Sequence, residues 1–125
     1  MKKETNFNFK DLVVWQRSID FAHQVIQMTE KLNTDRKHFR LIEQVEASSA
    51  SIAQNIAEGK GRHSTKEFIQ FLYYSRGSLF ETITLLNLFH KMNWIRKENL
   101  QLLETQAQEI GMMTNGLISK LLARR

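Results

Sequence analysis

Apolar residues recur along this chain at steps of three and four residues, and this spacing predicts four long amphipathic helices. The predicted helices cover residues 12–32, 36–58, 65–91 and 97–123. Because the connections between them are short, sequential helices are expected to be antiparallel neighbours. The sequence therefore predicts an all-α fold, an up-down-up-down antiparallel four-helix bundle that forms a single domain over residues 1–125, with residues 1–8 as a flexible N-terminal segment.

Capping residues and glycines mark the ends of the predicted helices. Asp11 is expected to cap the first helix, and Ser64 with Glu67 has the spacing of a capping box at the start of the third. Gly59 and Gly61 are expected to end the second helix, since glycine is common just past a helix end. The chain contains no proline, the residue that breaks helix interiors, which favours long uninterrupted helices.

Each predicted helix carries a stripe of apolar or small residues that is expected to face the core. Gly77 lies inside the third helix, where glycine costs about 1 kcal/mol relative to alanine, so it is expected to permit a close contact with a neighbouring helix. The expected core stripes are, in chain order, Leu12, Trp15, Ile19, Ala22 and Ile26; Leu41, Val45, Ser48, Ile52 and Ile56; Phe68, Phe71, Leu72, Ser75, Leu79, Ile83 and Leu86; and Leu100, Leu103, Ala107, Ile110, Thr114, Leu117 and Leu121.

The first and third predicted helices carry more apolar residues than one core stripe needs. The additional residues recur at helical spacing, and large contiguous apolar patches are rare on monomeric proteins. We therefore expect a homo-oligomer; the alternative is a scatter of exposed apolar residues, which is common on any protein surface. The residues expected to form the subunit interface are Val14, Phe21, Met28, Ile69, Tyr73 and Phe80.

The composition is that of an ordinary folded domain, with 42% hydrophobic and 25% charged residues. The sequence contains no cysteine, so neither a disulfide framework nor a thiolate metal site is expected. No apolar run is long enough to cross a bilayer, and no secretory signal is visible, so a cytoplasmic protein without a membrane partner is expected. The formal net charge of +5 permits an anionic partner.

The charged residues concentrate at the two ends of the predicted bundle. One end combines the first and third connections and has seven cations against four carboxylates. The other combines the second connection with both termini and has nine against four, whereas the middle is acidic. Such ends favour contacts with nucleic-acid phosphates, although ordinary solvated charge is the alternative. The candidate nucleic-acid-binding residues are Lys60, Arg62, Lys66, Lys120, Arg124 and Arg125.

A polar segment crosses the end of the second helix, and a second polar pattern lies inside the third. Asn55, Glu58, Arg62 and Glu81 are expected to form a structural polar clamp, because a buried charge needs a partner. A catalytic acid/base pair of Glu58 and Glu81 is the less favoured alternative. The sequence has no phosphate-binding loop, dinucleotide motif or nucleophile elbow, so no enzyme activity or cofactor is expected. Its two Asp-x-x-His spacings are not matched by an inward glutamate pair of the kind that holds metal in helix bundles, so no metal is expected.

These segments carry a family resemblance that extends over nearly the whole chain. The residues are Phe9-x-Asp11-Leu12-x-x-Trp15, Gln44, Ser51-Ile52, Asn55-Ile56-Ala57-Glu58-Gly59-x-Gly61-Arg62, Glu67-Phe68 and Gly77-Ser78-Leu79-x-Glu81. The chain resembles the bacterial four-helix-bundle proteins encoded in 23S rRNA intervening sequences, which are similar to the accessory protein of diversity-generating retroelements. The resemblance implies a basic homopentamer that binds nucleic acid and, in retroelements, a reverse transcriptase.

Two functions follow as hypotheses. The favoured one is a non-enzymatic, basic, homo-oligomeric module that binds RNA or DNA through charge and shape, because no base-reading motif is visible. The alternative is a protein-binding scaffold or accessory subunit, for example for a reverse transcriptase, with no direct nucleic-acid role.

Overall fold

The computed structural model describes residues 7–124 except 33 and 35, with the backbone alone for residue 36. A short 3-10 helix, Asn8–Asp11, precedes helix α1, Val13–Glu30, and a second one, Arg36–His38, precedes α2, Phe39–Lys60. Helix α3 spans Thr65–Lys91 and α4 spans Lys97–Ala123, and no strand occurs in the part of the chain described. Of the segment expected to be flexible, residues 1–6 lie outside the described residues, and Asn8 begins the first 3-10 helix.

The four helices form the predicted antiparallel bundle. Helix α1 packs against α2 and α4, and α3 packs against the same two helices, so the diagonal pairs remain apart. The register between α3 and α4 follows from two side-chain hydrogen bonds, from Arg76 to Asn115 at 2.8 Å and from Asn87 to Glu104 at 2.8 Å. None of the described helices contains the long apolar stretch that a membrane-spanning segment requires.

Small residues bring α2 and α3 into the closest contact of the bundle. The hydroxyls of Ser48 and Thr82 lie 2.8 Å apart, and Ser75 donates to the backbone carbonyl of Ile52 at 2.9 Å. A Cβ atom added at Gly59 would lie 2.6 Å from Cβ of Phe71, so the helices approach closely at that glycine. The close contact expected at Gly77 is wrong, because a Cβ atom there would meet nothing within 4 Å.

The buried face of α1 differs from the predicted one. Ile19 is 42% exposed, and of the expected stripe only Ala22 is buried. Val14, Phe21 and Val25 form the core face in its place. Apolar residues occur on several sides of this helix, so their spacing alone leaves two possible orientations, and packing against α2 and α4 selects one of them.

The core faces of the other helices agree closely with the prediction. Helix α4 buries six of the seven expected residues but exchanges Leu117 for Ile118 near its end. A straight α-helix has 3.6 residues per turn and drifts by about 20° per heptad, which moves a heptad stripe onto the next residue. The buried residues of α2 and α3 are Val45, Ser48, Ser49, Ile52, Ala53, Ile56 and Gly59, and Phe68, Ile69, Leu72, Ser75, Leu79, Thr82, Leu85, Leu86 and Phe89.

The helix starts show where local signals are decisive. The N-cap half of the predicted capping box forms, because the backbone N–H of Glu67 donates to Oγ of Ser64 at 3.1 Å. The Glu67 carboxylate accepts from the Ser64 hydroxyl at 3.1 Å instead of from the Ser64 backbone N–H. The expected cap at Asp11 is wrong, because this residue closes the first 3-10 helix and Leu12 takes the cap position. Gln16 donates to the backbone carbonyl of Lys10 at 2.7 Å and holds that 3-10 helix against α1.

Candidate functional site

One end of the bundle collects the predicted nucleic-acid-binding residues, and we call it the basic pole. It consists of the end of α2, the start of α3, the end of α4 and the N-terminal 3-10 helix, which contacts α1 and α2. Within the described residues it has six cations against the three carboxylates of Asp11, Glu58 and Glu67. The cations are Lys10, Lys60, Arg62, Lys66, Lys120 and Arg124; the predicted Arg125 lies outside the described residues.

The register of α3 and α4 explains why residues distant in sequence share this pole. Leu79 lies against Gly111, and Arg76 pairs with Asn115, so moving toward the start of α3 means moving toward the end of α4. Continuing this antiparallel register places Lys120 and Arg124 beside the first turns of α3, the helix that begins next to Lys66.

Two cations of the basic pole lie over aromatic rings of α3. The guanidinium carbon of Arg62 is 4.6 Å from the ring centroid of Phe71, and Nζ of Lys60 is 5.8 Å from that of Phe68. Contacts of this kind contribute on the order of 0.5–1 kcal/mol at exposed sites. The rings therefore orient both cations while leaving their charge available to a ligand.

Among the described residues, one contact of the predicted polar clamp forms, and it is the ion pair between Arg62 and Glu58. The two side chains are 3.2 Å apart, and they are 40% and 57% exposed, respectively. An ion pair that is so exposed contributes about 0–1 kcal/mol, because water screens both partners. A phosphate group can therefore replace the Glu58 carboxylate at little cost.

Of the remaining cations of the basic pole, Lys10 lies over the Phe7 ring at 5.8 Å, and the other three project into solvent. Lys66, Lys120 and Arg124 are exposed, and none of them has a carboxylate within 4 Å among the residues that the structure describes. Their charge is thus uncompensated by close neighbours, and it combines with that of Arg62 and Lys60 at one end of the molecule.

The four residues of the predicted polar clamp do not form one cluster. Asn55 donates to the backbone carbonyl and the hydroxyl of Ser51, at 2.8 and 2.9 Å, and Gln44 donates to Glu81 at 3.3 Å. Glu81 is therefore not part of the predicted clamp with Arg62 or Asn55, and the alternative acid/base pair of Glu58 and Glu81 is wrong as well. The two carboxylates are separated along the bundle axis, because Glu81 lies beside the first half of α2 whereas Glu58 is in the last turn of that helix.

An open polar groove of about 830 Å³ adjoins the basic pole between α2 and the start of α3. Its floor includes Ser51, whose hydroxyl is 2.9 Å from that of Ser78, and its rim includes Arg62 and His63. Glu58 and Glu67 also line it, so the groove has carboxylates of its own. This mixture of charges favours water and polar contacts over an anionic ligand, and the free cations outside the groove are the better phosphate contacts.

Three of the residues expected to form a subunit interface are instead part of the core. Val14, Phe21 and Ile69 are only 6%, 1% and 5% exposed within a single chain. They are therefore unavailable to a second subunit, and this part of the prediction is wrong. The orientation error on α1 explains the first two, because the stripe assigned to the surface is the buried one.

The other expected interface residues remain accessible to different degrees. Met28 packs partly against the core, whereas Tyr73 is 40% and Phe80 is 62% exposed. On the adjacent helix α4, Met112 is 75% exposed and was missed by the sequence analysis. The sequence does contain a signal for this surface, namely the absence of charged side chains from residues 110–119 of α4.

Tyr73 and Phe80 belong to a surface that we call the α3–α4 face. It comprises Tyr73, Gly77, Phe80 and Thr84 of α3 with Thr105, Gln108, Met112 and Gly116 of α4, all of them exposed and uncharged. A groove of about 420 Å³ separates the two helices; its lining is mostly apolar or small, including Leu79, Ala107 and Gly111, with one carboxylate, Glu104. Aromatic residues and methionine are enriched at protein interfaces, and charged residues are depleted from interface cores.

Two glycines of the α3–α4 face have no contact within the chain that requires them. A Cβ atom at Gly77 or at Gly116 would meet nothing within 4 Å, although both residues lie inside helices. They are close to the Arg76–Asn115 hydrogen bond and therefore at similar heights. Each costs about 1 kcal/mol of helix stability relative to alanine, with no compensating contact in the single chain.

Comparison with known proteins gives one family match and a similar solved structure. A family model described as 23S rRNA-intervening sequence protein matches residues 10–116. The chain is also similar to the crystal structure of a protein of unknown function from the S23 ribosomal protein family of Bacteroides thetaiotaomicron VPI-5482. That similarity has a TM-score of 0.79 and 26% sequence identity, and it covers 85% of this chain and 98% of the other. Comparison with curated proteins gave no match.

Proposed function

This chain belongs to the 23S rRNA-intervening sequence protein family, and from that premise we propose that it is a non-enzymatic, self-associating module that binds RNA or DNA. The family assignment confirms the resemblance found in the sequence. The observation that carries the proposal is the set of exposed cations Lys66, Lys120 and Arg124, which have no close carboxylate among the described residues, at the pole that also holds Lys60 and Arg62.

The proposed binding rests on phosphate contacts rather than base contacts. Each cation that meets a phosphate releases a condensed counterion, so the logarithm of the association constant falls by about 0.9 per contact for each unit in the logarithm of salt concentration. Five contacts per protomer predict a slope of about −4.5. Between about 50 and 200 mM salt the affinity should therefore fall roughly 500-fold, with little dependence on base sequence.

Self-association multiplies this effect, because identical poles then act together on one nucleic acid. We place the contact between subunits on the α3–α4 face, with a second copy of this chain as the partner. Phe80 and Met112 supply exposed apolar surface, and Gly77 and Gly116 allow a neighbouring helix to approach closely.

Two charged side chains border this face: Arg76 lies over the Tyr73 ring and Glu104 lines the groove. Each is already hydrogen-bonded within the chain, to Asn115 and Asn87 respectively. The exposed residues that define the face are themselves uncharged, so a second copy can cover them without supplying an opposite charge. The family resemblance implies five subunits.

The nucleic-acid proposal is tested by reversing charge at the basic pole. The variant combines Lys60→Glu, Lys66→Glu and Arg124→Glu, and a matched control combines Arg40→Glu, Lys91→Glu and Lys97→Glu at the other pole, which gives both variants the same net charge. Fluorescence anisotropy with a labelled RNA and a labelled DNA duplex measures binding from about 50 to 200 mM salt. We expect the basic-pole variant to lose at least a hundredfold in affinity at low salt, and the control to lose much less.

Two results would overturn this proposal. One is wild-type protein that binds neither nucleic acid at low salt, and the other is equal loss of binding in both variants, which would show that only net charge matters.

Self-association is tested separately by measuring mass in solution. The wild-type protein is expected to show a multiple of 14.7 kDa by light scattering. Phe80→Asp places an uncompensated charge in the proposed contact and should yield protomers, whereas Phe39→Asp, at an exposed position away from the α3–α4 face, should leave the mass unchanged. A wild-type protein that is monomeric at micromolar concentration contradicts the proposal and favours another protein as the occupant of this face, which is the scaffold hypothesis.

A further inference from the structure

A second groove lies at the opposite pole, between the end of α1 and the start of α4, with a volume of about 650 Å³. This volume is within the range of about 300–1,000 Å³ that is typical of small-molecule sites. Lys31 lies at one side of the groove and Arg96 at the other, and the α3–α4 connection forms one end. The helices place this groove a bundle length, about 30 Å, from the basic pole.

The apolar part of the groove includes a tryptophan held in a fixed position. The ring of Trp94 packs against those of Phe89 and His38, with centroid distances of 4.9 and 4.8 Å, and its backbone N–H donates to Phe89 at 2.9 Å. Trp94 remains partly exposed and lines the groove together with Leu102, which is 56% exposed. A partly exposed tryptophan ring and an exposed leucine therefore line the groove, and both are apolar groups on which a planar ligand could pack.

The polar part of the groove is cationic, and its two cations and two of its amides have no ion-pair or hydrogen-bond partners among the described residues. Lys31 and Arg96 both line it, no carboxylate does, and neither cation has an ion-pair partner within the described residues. The side-chain amides of Gln27 and Asn99 line it as well, and in the described structure neither has a hydrogen-bond partner. By contrast, the neighbouring Gln24 accepts a hydrogen bond from Gln106 at 2.9 Å. The groove thus offers two positive charges and two free amides around an apolar wall.

From this combination we propose that the groove binds a nucleotide unit, with its base on Trp94 and Leu102 and its phosphate between Lys31 and Arg96. Stacking of a base on an aromatic side chain contributes about 1–3 kcal/mol for any base. Amide groups match the mixed donors and acceptors of base edges, and the cations match the phosphate. The unit is either a free nucleotide or an unpaired residue of a single-stranded nucleic acid. The site is independent of the basic pole and does not rest on the function proposed above.

Tryptophan fluorescence tests the proposal directly. The Trp15→Phe variant leaves Trp94 as the single tryptophan, so quenching by an added base reports on this groove. The ligands are AMP, adenosine and a short single-stranded oligonucleotide. We expect quenching by AMP that saturates below about 1 mM, and at least tenfold weaker binding of adenosine, because adenosine lacks the phosphate.

Variants of the two cations separate a phosphate site from non-specific stacking. Lys31→Ala and Arg96→Ala should each weaken AMP binding about tenfold while leaving adenosine binding unchanged, because each removes one charge-assisted contact. Lys91→Ala and Lys97→Ala, exposed cations of the same pole that do not line the groove, are the matched controls. All four substitutions are at exposed positions, so folding is expected to be retained and is checked by circular dichroism.

The comparison of ligands also identifies the source of the nucleotide. Tighter binding of the oligonucleotide than of AMP supports a site for single-stranded nucleic acid, and the reverse order supports a free nucleotide. The proposal is overturned if neither AMP nor the oligonucleotide quenches Trp94 fluorescence. It is also overturned if adenosine and AMP bind equally well. The charge reversals at Lys60, Lys66 and Arg124 should leave AMP binding intact, so failure of the proposed nucleic-acid function and failure of this inference are distinguishable.

Discussion

The close contact of α2 with α3 predicts that Gly59→Ala destabilises the protein, although alanine is the better helix former. The added Cβ atom would lie 2.6 Å from Cβ of Phe71, 3.0 Å from a ring carbon of Phe68 and 3.2 Å from the backbone oxygen of Phe68. The first and last of these atoms belong to the α3 backbone or are bonded to it, so no side-chain rotation relieves the contact. The methyl group therefore requires the two helices to separate.

The magnitude follows from two opposing effects. Alanine in place of glycine inside a helix contributes about 1 kcal/mol in favour of folding. Overpacking a close contact costs about 1–3 kcal/mol, and the upper value applies because backbone must move. The net loss is about 2 kcal/mol, which corresponds to a decrease in Tm of roughly 8 °C for a chain of this size.

The assay is thermal and urea unfolding followed by circular dichroism, with all proteins at the same protomer concentration because association contributes to stability. Gly61→Ala is the matched control: its Cβ atom would lie 3.6 Å or more from any neighbour, and φ at Gly61 is −80°. This substitution should leave the stability unchanged or raise it by less than about 1 kcal/mol. A Gly59→Ala protein that melts at or above the wild-type temperature refutes the close packing of α2 on α3.

Two further substitutions remove hydroxyl groups that each make two hydrogen bonds, and the same unfolding assay measures their effect. Ser64→Ala removes the cap of α3 and should cost about 1 kcal/mol of stability. The control, Ser119→Ala on the exposed side of α4, should change stability by less than half of that. Equal effects of the two substitutions would contradict the capping role. Thr82→Val removes the buried 2.8 Å hydrogen bond with Ser48 and the 2.8 Å bond that Thr82 donates to the Ser78 carbonyl, and it should cost about 1–2 kcal/mol. Thr105→Val, which removes only the corresponding intrahelical bond at the surface, should cost less than about 0.5 kcal/mol. A neutral Thr82→Val would show that the buried hydroxyl pair contributes nothing.

The number of helices, their approximate bounds and the antiparallel bundle followed from the sequence by itself. Periodicity and end signals act between residues three or four positions apart, and such local interactions do not depend on the rest of the fold. The N-cap at Ser64 and the end of α4 at Ala123 were predicted correctly for this reason. The start of α1 was not, because Asp11 is drawn into a 3-10 helix that packs against α1 and α2.

Only the tertiary structure decided which side of α1 is buried and which glycine permits a close helix contact. Val14 and Ile19 are both compatible with an apolar stripe, and packing against two neighbouring helices buries the first and exposes the second. The residue type alone does not distinguish Gly59 from Gly77, but in the structure Gly59 faces Phe71 and Gly77 faces solvent. The free cations of the basic pole and the groove at Trp94 likewise depend on register between helices that are distant along the chain. Burial and register are set by the summed packing of all four helices, which no local pattern contains.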